Sequence, residues 1–171
     1  MKKVKTLSIL LLLLVVLSSA VKSVIYYPKA SSLEIKGYVF EEDKKVDGAM
    51  VKLYQNNKIV QITKTKKSKF QFILFAGKQY MVEVDKPGSV SERIQISTKE
   101  PTEFGGKYTY EFRVDLIDAT KFEGVDISNL DFPTAIIKYD LEEGEYMHDA
   151  NYSKQVKADL KKIKMEAKTK K

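Results

Sequence analysis

The feature that most constrains the fold is an alternation of apolar and polar residues that recurs through the middle of the chain. Seven short segments show it, and their apolar positions begin at Leu33 and end at Leu116. The segments cover residues 33–39, 49–54, 59–63, 70–74, 80–84, 93–96 and 108–116. Because successive side chains of a β-strand point to opposite faces, each segment is predicted to be a half-buried strand.

Turn-forming residues separate the predicted strands. They occur in the pairs Asp47-Gly48, Asn56-Asn57, Ala76-Gly77, Pro87-Gly88 and Gly105-Gly106. Glycine, asparagine and proline supply the positive or fixed φ angles that tight turns need. Seven strands at such close spacing predict an all-β fold, a seven-stranded antiparallel β-sandwich made of two packed sheets.

The order of these strands and turns resembles a known family. The motifs that carry the resemblance are Ile35-Lys36-Gly37-Tyr38-Val39, Asp47-Gly48-Ala49-Met50-Val51, Phe70-Gln71-Phe72, Tyr80-Met81-Val82-Glu83-Val84 and Lys86-Pro87-Gly88. Together they resemble carboxypeptidase regulatory-like domains, which are transthyretin-like (prealbumin-type) β-sandwiches. The resemblance covers about half of the chain. It implies a non-catalytic module of an exported or surface protein, used as a spacer, a folding aid or a binding platform, although a fold alone transfers no function.

The stretch before the fourth strand departs from the family. Such domains usually have Thr-Asp-x-x-Gly there, whereas this chain has Thr65-Lys66-Lys67-Ser68-Lys69. Counted back from Phe70 in the family's Gly-x-Phe-x-Phe strand motif, Ser68 stands in place of the glycine, which predicts a looser turn. Some relatives cross-link their strands through Lys–Asn isopeptide bonds, and Lys36 with Asp115 or Asp118 is the pair to consider. Alternation points Lys36 outward, and a buried unpaired lysine is costly, so we expect no such bond.

Residues 1–20 predict a cleavable secretory signal peptide. Three lysines within residues 1–5 form a positive start. The apolar run from Leu7 to Leu17 is too short to span a bilayer, which takes about 20 residues. Small residues follow the run and place the cut after Ala20. We therefore expect export, and no transmembrane segment once the signal peptide is removed.

Four regions are predicted to follow the signal peptide. They are a leader over 21–32, the β-sandwich over 33–120, an acidic extension over 121–150 and a basic helix over 151–171. Within the extension, residues 135–139 favour an additional strand, which Pro133 would precede. The helical stripe consists of Tyr152, Val156, Leu160, Ile163 and Ala167. It favours a helix that docks on the sandwich or is exposed to solvent, with an anionic membrane surface or a partner protein as alternatives.

The net charge of +7 belongs to the two ends of the chain. Residues 154–171 hold eight lysines against Asp159 and Glu166, a net of +6, and the signal peptide holds three more lysines. The remainder carries 19 basic and 21 acidic groups, a net of −2. A nearly neutral body without a basic, aromatic-lined face predicts no nucleic-acid partner.

No set of residues points to catalysis or to a resident metal. His148 is the only histidine and the chain has no cysteine, so the sequence indicates neither a nucleophile–base pair nor a usual zinc site. The acidic stretches 126–131 and 140–145 have oxygen ligands but not the glycine-punctuated spacing of a calcium loop. We therefore predict no enzyme activity, no catalytic residue, no metal and no cofactor.

Three aromatic residues are candidate ligand-facing side chains. Tyr38, Phe40 and Tyr54 fall on the strand faces opposite the aliphatic residues, where they could stack on sugars. The absence of tryptophan favours the other interpretation, in which they pack beneath the C-terminal extension. Large apolar patches rarely remain bare, which also favours packing.

The sequence thus favours a non-catalytic, exported binding or scaffolding module of the bacterial cell envelope, in the periplasm or at the cell surface. Its expected partner is an envelope protein. Two alternatives stay open, a carbohydrate-binding β-sandwich and a membrane-surface protein held by its basic helix. Exposure of Tyr38 and Tyr54 would favour the first, and release from anionic vesicles on removal of residues 152–171 would favour the second.

Overall fold

The structure is a computed structural model that describes residues 31–99, 105–126 and 132–169. The predicted signal peptide, with its cut after Ala20, lies outside the described residues, and so does the predicted leader up to residue 30. Ser32, which falls within the predicted leader, is the first residue of a strand.

Eleven strands form two sheets in the described part of the chain. Sheet one contains β1 (Ser32–Glu41), β2 (Lys44–Lys45), β5 (Lys69–Phe75), β7 (Ser89–Val90) and β9 (Lys107–Asp118). Sheet two contains β3 (Met50–Gln55), β4 (Lys58–Lys64), β6 (Gln79–Asp85), β8 (Glu92–Ser97), β10 (Ala135–Asp140) and β11 (Glu145–His148). In sheet one, β1 pairs with β9 on one side and with β2 and β5 on the other, and β7 pairs with the end of β9. The order in sheet two is β11–β10–β8–β6–β3–β4.

The inner faces of the two sheets supply the core. Leu33, Ile35 and Val39 alternate along β1 and are each at most 1% exposed. Phe72 of β5 and Ile96 of β8 are among the largest fully buried side chains. The strands predicted from alternation therefore bury the side chains that alternation assigns to the interior, and the predicted all-β sandwich with a C-terminal helix is confirmed.

The sheets differ from the expectation in strand direction and number. β1 and β9 pair in parallel over ten positions, as do β8 and β10 over three, so both sheets are mixed rather than antiparallel. Strand direction depends on where distant segments meet, which a local pattern does not encode. β2 and β7 have two residues each, which is too short for an alternation to show, so there are more than the seven expected strands.

The C-terminal extension completes sheet two and then forms a helix. β10 lies beside β8, in the region where the sequence favours an additional strand, and β11 pairs with β10. The helix α1 (Ala150–Thr169) follows. Asp149 caps it by accepting a 3.1 Å hydrogen bond from the backbone N–H of Tyr152. The Tyr152 hydroxyl donates to the carbonyl of Pro133, which fixes the start of α1 against the start of β10.

One face of α1 packs on the sandwich. Val156 and Ala167 are buried, and the helix contacts β10 and the 3-10 turn formed by Ala119–Phe122. The apolar stripe is thus used in packing, and most lysines of the helix remain at its surface. Within the described residues, no helix is both long enough and apolar enough to cross a bilayer.

The turn before β5 is tight rather than loose. Lys66 and Lys69 exchange two backbone hydrogen bonds of 3.0 Å, and Lys67 and Ser68 between them have φ angles of 51° and 66°. These angles lie in the left-handed region that favours glycine, although neither residue is a glycine. Asp47, in the loop before β3, accepts a 2.6 Å hydrogen bond from the backbone N–H of Ser68. A carboxylate from a neighbouring loop therefore helps to close the turn.

Candidate binding groove

The three aromatic residues singled out from the sequence lie on opposite faces of the sandwich. Tyr38 and Phe40 alternate with the buried residues of β1 and so face outward from sheet one. Tyr54 alternates with the buried residues of β3 and faces outward from sheet two. All three are half-buried. The structure does not bring them together in one site.

Cations cover the rings of Tyr38 and Phe40. The Lys69 ammonium lies 5.4 Å from the centre of the Tyr38 ring, and the Tyr38 hydroxyl donates a 2.9 Å hydrogen bond to Glu111. The Arg113 guanidinium lies 4.1 Å from the centre of the Phe40 ring. These covering groups come from β5 and β9, so the expectation that the two rings pack beneath the C-terminal extension is not what the structure shows.

Lys36, the lysine considered for an isopeptide bond, is engaged on the outer face of sheet one. Its ammonium lies 3.5 Å from Glu34 and 3.6 Å from Glu111. Asp115 pairs with Arg113 at 2.6 Å, and its side chain points outward from β9 as that of Glu111 does. Lys36 therefore faces outward, as alternation predicts, and has carboxylates as its partners.

A groove of about 590 Å³ lies between β9, β10 and α1, and we call it the helix groove. Its apolar lining includes Ile94 of β8 together with Phe112 and Val114 of β9. Val156 and Leu160 of α1 line it from the helix. The interior of the sandwich thus continues into a surface groove beside the helix, a concave place with both apolar and charged side chains, of the kind where ligands bind.

The backbone of β9 forms one side of the helix groove. Residues 111–115 line the groove consecutively. Over residues 107–116, β9 pairs with β1 on one side, whereas β7 pairs with it only at Ile117 and Asp118. A strand that is paired on one side presents backbone N–H and C=O groups on the other. The helix groove therefore offers a row of hydrogen-bonding groups next to its apolar lining.

The rim of the helix groove is basic on the side of α1. Lys157 and Lys164 line it, and within the described residues neither forms a salt bridge. On the side of β9, Arg113 is already paired with Asp43 and Asp115, both at 2.6 Å. The rim cations without a salt bridge in the described part of the chain are therefore Lys157 and Lys164, of which Lys164 also acts on the carboxyl group of Glu92, and they would attract an anionic group.

Three acidic residues line the helix groove: Glu111 and Asp115 point outward from β9, and Glu92 points into the sandwich. Glu92 pairs with the buried Val84 across β6 and β8, which places it on the inner face of sheet two, where it is half-buried. Burial raises the pKa of Glu92 to about 7. A hydrogen bond with Thr134 and the charge of Lys164 oppose the rise, and the charge of Asp115 adds to it. Near neutral pH the carboxyl group is therefore divided between its charged and neutral forms.

Replacing Glu92 by glutamine is expected to flatten the dependence of stability on pH. Because the pKa of Glu92 is higher in the folded chain, its contribution is complete below pH 4.5 and is lost as the pH rises to about 7. Glutamine stays uncharged throughout. At a pH well above 7, Glu92→Gln should raise the free energy of unfolding by about 2 kcal/mol. One pKa unit corresponds to ~1.4 kcal/mol, and the contact of the carboxyl group with water makes the effect smaller than the full shift would give.

Urea unfolding at about pH 5 and about pH 8 checks this prediction. The variant and the wild type should be close in stability at the lower pH and should separate at the higher one, with the variant more stable. A wild type that is the more stable of the two at the higher pH would show that the charged form of Glu92 is favoured in the folded chain.

His148 and the acidic stretches are the other residues in the sequence with side chains suited to acid–base or metal chemistry. His148 is exposed, and its Nδ1 atom lies 3.4 Å from the Tyr110 hydroxyl at the edge of the helix groove. Asp140 accepts hydrogen bonds from the backbone N–H groups of Glu142 and Glu143 at 2.9 and 3.2 Å, which closes a turn. The stretch 127–131 lies outside the described residues. Among the described residues, no group of three or more histidine and acidic side chains could hold a metal ion.

The alternation pattern does not predict the helix groove, although one residue in the sequence gives a signal of it. Glu92 precedes the buried Ile94 and Ile96 at the two-residue spacing of a strand, so alternation places its carboxyl group on the inner face of β8. A charged residue at an inward position is unusual, because acidic side chains are rarely buried without a partner. The other wall of the groove comes from α1, whose position relative to β9 has no local signature.

Comparisons with known proteins find partial similarities to solved structures. No protein-family model matches the chain, and no curated protein matches it. The Bacillus anthracis TIE protein aligns with a TM-score of 0.40 and 21% identity, over 52% of this chain and 18% of that one. Catechol 1,2-dioxygenase from Acinetobacter aligns with a TM-score of 0.40 and 13% identity, over 62% and 58% of the two chains. A variant of the shaft pilin SpaA from Lactobacillus rhamnosus aligns with a TM-score of 0.34 and 11% identity, over 52% and 48%.

This chain spans less than two thirds of the length of each of these three proteins. Similarity of this extent transfers no activity, ligand or partner.

Proposed function

We propose that the chain is an exported, non-catalytic protein-binding module of the bacterial cell envelope, in the periplasm or at the cell surface. Its sandwich is of the carboxypeptidase regulatory-like type, which the order of its strand and turn motifs supports. The signal-like residues 1–20 support export. The observation that carries the binding role is the helix groove, where an open strand edge runs beside an apolar lining and a basic helix.

The ligand that best matches the helix groove is an extended peptide segment of a partner protein. Such a segment would add to the free edge of β9 through backbone hydrogen bonds, as peptides do when they extend a sheet. Its alternate side chains would contact Phe112 and Val114. Acidic side chains in the segment would face Lys157 and Lys164 at the rim, which favours an acidic peptide over a basic one.

The absence of catalysis is proposed from the residues available. The chain has no cysteine, and its single histidine contacts the Tyr110 hydroxyl. Burial raises the pKa of Glu92 in the helix groove to about 7, which makes it a candidate for proton transfer. Substrate turnover by the purified chain that is lost in Glu92→Gln would therefore overturn this part of the proposal.

Selection of peptides from a displayed random library on the purified chain tests the binding role. We expect the selected peptides to alternate apolar and other residues and to be acidic. Lys157→Glu should weaken their binding by about tenfold or more, because it reverses a charge at the rim. Lys154→Glu is the matched control, since Lys154 is exposed on the same helix but does not line the groove, and it should change the affinity much less.

A second variant fills the groove instead of changing its charge. Ser153 lines the helix groove, and Ser153→Trp should block the selected peptides while urea unfolding verifies that the chain still folds. Selected peptides that bind equally well to Lys157→Glu and Ser153→Trp would place the interaction elsewhere. Binding of the chain to anionic lipid vesicles, with no peptide selected above background, would overturn the proposal in favour of a membrane-surface role.

A further inference from the structure

A shallow depression of about 200 Å³ lies on the outer face of sheet two around Tyr54, and we call it the Tyr54 surface. Its lining includes the Tyr54 ring, the Met81 side chain and the amides of Asn56, Asn57, Gln79 and Gln95. These residues come from β3, the β3–β4 turn, β6 and β8. The depression lies on a face of the sandwich that does not contribute to the helix groove.

The Tyr54 ring is held in place from one end. Its hydroxyl donates a 3.1 Å hydrogen bond to Glu83. Glu83 is itself fixed by Lys52 at 2.9 Å and by Arg93 at 2.7 Å, and its side chain is only 8% exposed. A ring that is anchored in this way keeps its orientation before any ligand arrives, so little conformational entropy is lost on binding.

The exposed part of the Tyr54 ring has no cation or aromatic ring stacked on it among the described residues, which distinguishes it from the other two candidate aromatics. Lys69 lies over Tyr38 and Arg113 lies over Phe40. In register, the neighbours of Tyr54 across the sheet are Ile59 of β4 and Met81 of β6. The ring therefore forms part of an apolar row and can accept a flat apolar face.

The side chains that line the depression carry no charge, and four of them are amides. Asn56 and Asn57 occupy the β3–β4 turn with φ angles of 51° and 60°, which presents both side chains at the surface. Gln79 donates a 3.0 Å hydrogen bond to Ser97, which positions its amide, and Gln95 lies next to Met81 in register. Each primary amide has both donors and an acceptor, so the set can bond to hydroxyl groups in either direction.

We propose that the Tyr54 surface is a second binding site, one that takes a single sugar unit of a neutral glycan. The apolar C–H face of a pyranose ring would stack on Tyr54, and its hydroxyl groups would bond to the surrounding amides. The lining has no charged side chain, which favours a neutral sugar over a uronic acid or a phosphorylated one. The site stands independently of the peptide proposed for the helix groove.

Two-dimensional amide NMR with cellotetraose, chitotetraose, maltotetraose and the anionic control polygalacturonate tests the site. We expect at least one neutral oligosaccharide to shift the signals of the side-chain amides and of Met81, with polygalacturonate inactive. Tyr54→Ala should weaken binding by about tenfold or more. Tyr54→Phe, which keeps the ring and loses only the bond to Glu83, should retain most of the affinity.

Two further variants keep the result interpretable if Tyr54→Ala folds poorly. Gln95→Ala removes one amide without touching the ring and should weaken binding severalfold. Tyr38→Ala is the matched control, because Tyr38 is a half-buried tyrosine on the opposite sheet, and it should leave the affinity unchanged. No shift with any neutral oligosaccharide would overturn the proposal, and so would binding that survives both Gln95→Ala and Tyr54→Ala.

Discussion

Replacing Gly37 by alanine should destabilise the fold by about 3 kcal/mol. A Cβ atom on Gly37 would lie 2.0 Å from Cζ and 2.1 Å from Cε1 of Phe70, far inside contact distance. The Phe70 ring is 5% exposed and packs against Phe72 and Phe112, with 5.8 and 5.9 Å between ring centres. The ring cannot move away without losing these contacts, so relieving the collision also costs stability.

The sign of the effect separates packing from backbone conformation. Gly37 lies within β1 and is not among the residues with a positive φ. At an ordinary strand position, alanine is more favourable than glycine by about 0.5–1 kcal/mol. A large loss of stability in Gly37→Ala would therefore report the collision with Phe70 and not a strained backbone.

A double-mutant cycle measures that collision. Phe70→Leu shortens the side chain opposite Gly37, so the combined variant Gly37→Ala with Phe70→Leu should be more stable than the sum of the two separate losses allows. Urea unfolding of the four proteins gives the coupling free energy. A Gly37→Ala variant with the stability of the wild type would show that the ring does not rest on this position.

Replacing Glu83 by glutamine should lower the free energy of unfolding by about 3 kcal/mol at neutral pH. Glu83 accepts hydrogen bonds from Lys52, Arg93 and the Tyr54 hydroxyl within 3.1 Å. Burial alone would raise the pKa of Glu83, but these hydrogen bonds outweigh burial and hold the pKa at about 2. Glutamine would remove the carboxylate that pairs with both Lys52 and Arg93, although Lys52 would keep Asp85 as a partner, and would turn an N–H₂ group toward groups that are themselves donors.

The pH dependence of the free energy of unfolding tests the role of Glu83 a second time. Because the pKa of Glu83 is lowered in the folded chain, its contribution is complete above pH 4.5 and is lost as the pH falls toward about 2. Glu83→Gln should remove that part of the acid sensitivity.

Glu34→Gln is the matched control, since Glu34 pairs with Lys36 at 3.5 Å and their side chains are 32% and 34% exposed. It should leave the urea midpoint unchanged, and equal losses from the two substitutions would contradict the account of Glu83.

Alternation predicts which side of a strand faces the core but not which sheet the strand joins. It assigns Ile35 and Val51 to the interior and Tyr38 and Tyr54 to the exterior, and the burial of the four residues agrees. It cannot show that Tyr38 and Tyr54 end on opposite faces of the sandwich, because β1 and β3 belong to different sheets. That assignment depends on pairings between segments far apart in the chain.

The motif around Gly37 predicts a glycine in β1 but not the contact that requires it. The family pattern includes Gly37, but the reason for a glycine becomes visible only when Phe70 lies over it from the neighbouring strand. The helix groove could not be predicted from a pattern at all. It requires the parallel pairing of β9 with β1, which leaves the other edge of β9 without a full-length strand, and the return of α1 across β10.

The parallel pairing of β1 with β9 also determines how the chain would respond to a stretching force. Tension applied to the start of β1 and the end of β9 pulls the two strands in opposite directions along their length, so all ten paired positions bear the load together. In an antiparallel hairpin such as β3 and β4, a pull on the two open ends separates one pair after another. We therefore expect a chain tethered on both sides to resist extension until sheet one ruptures as a unit.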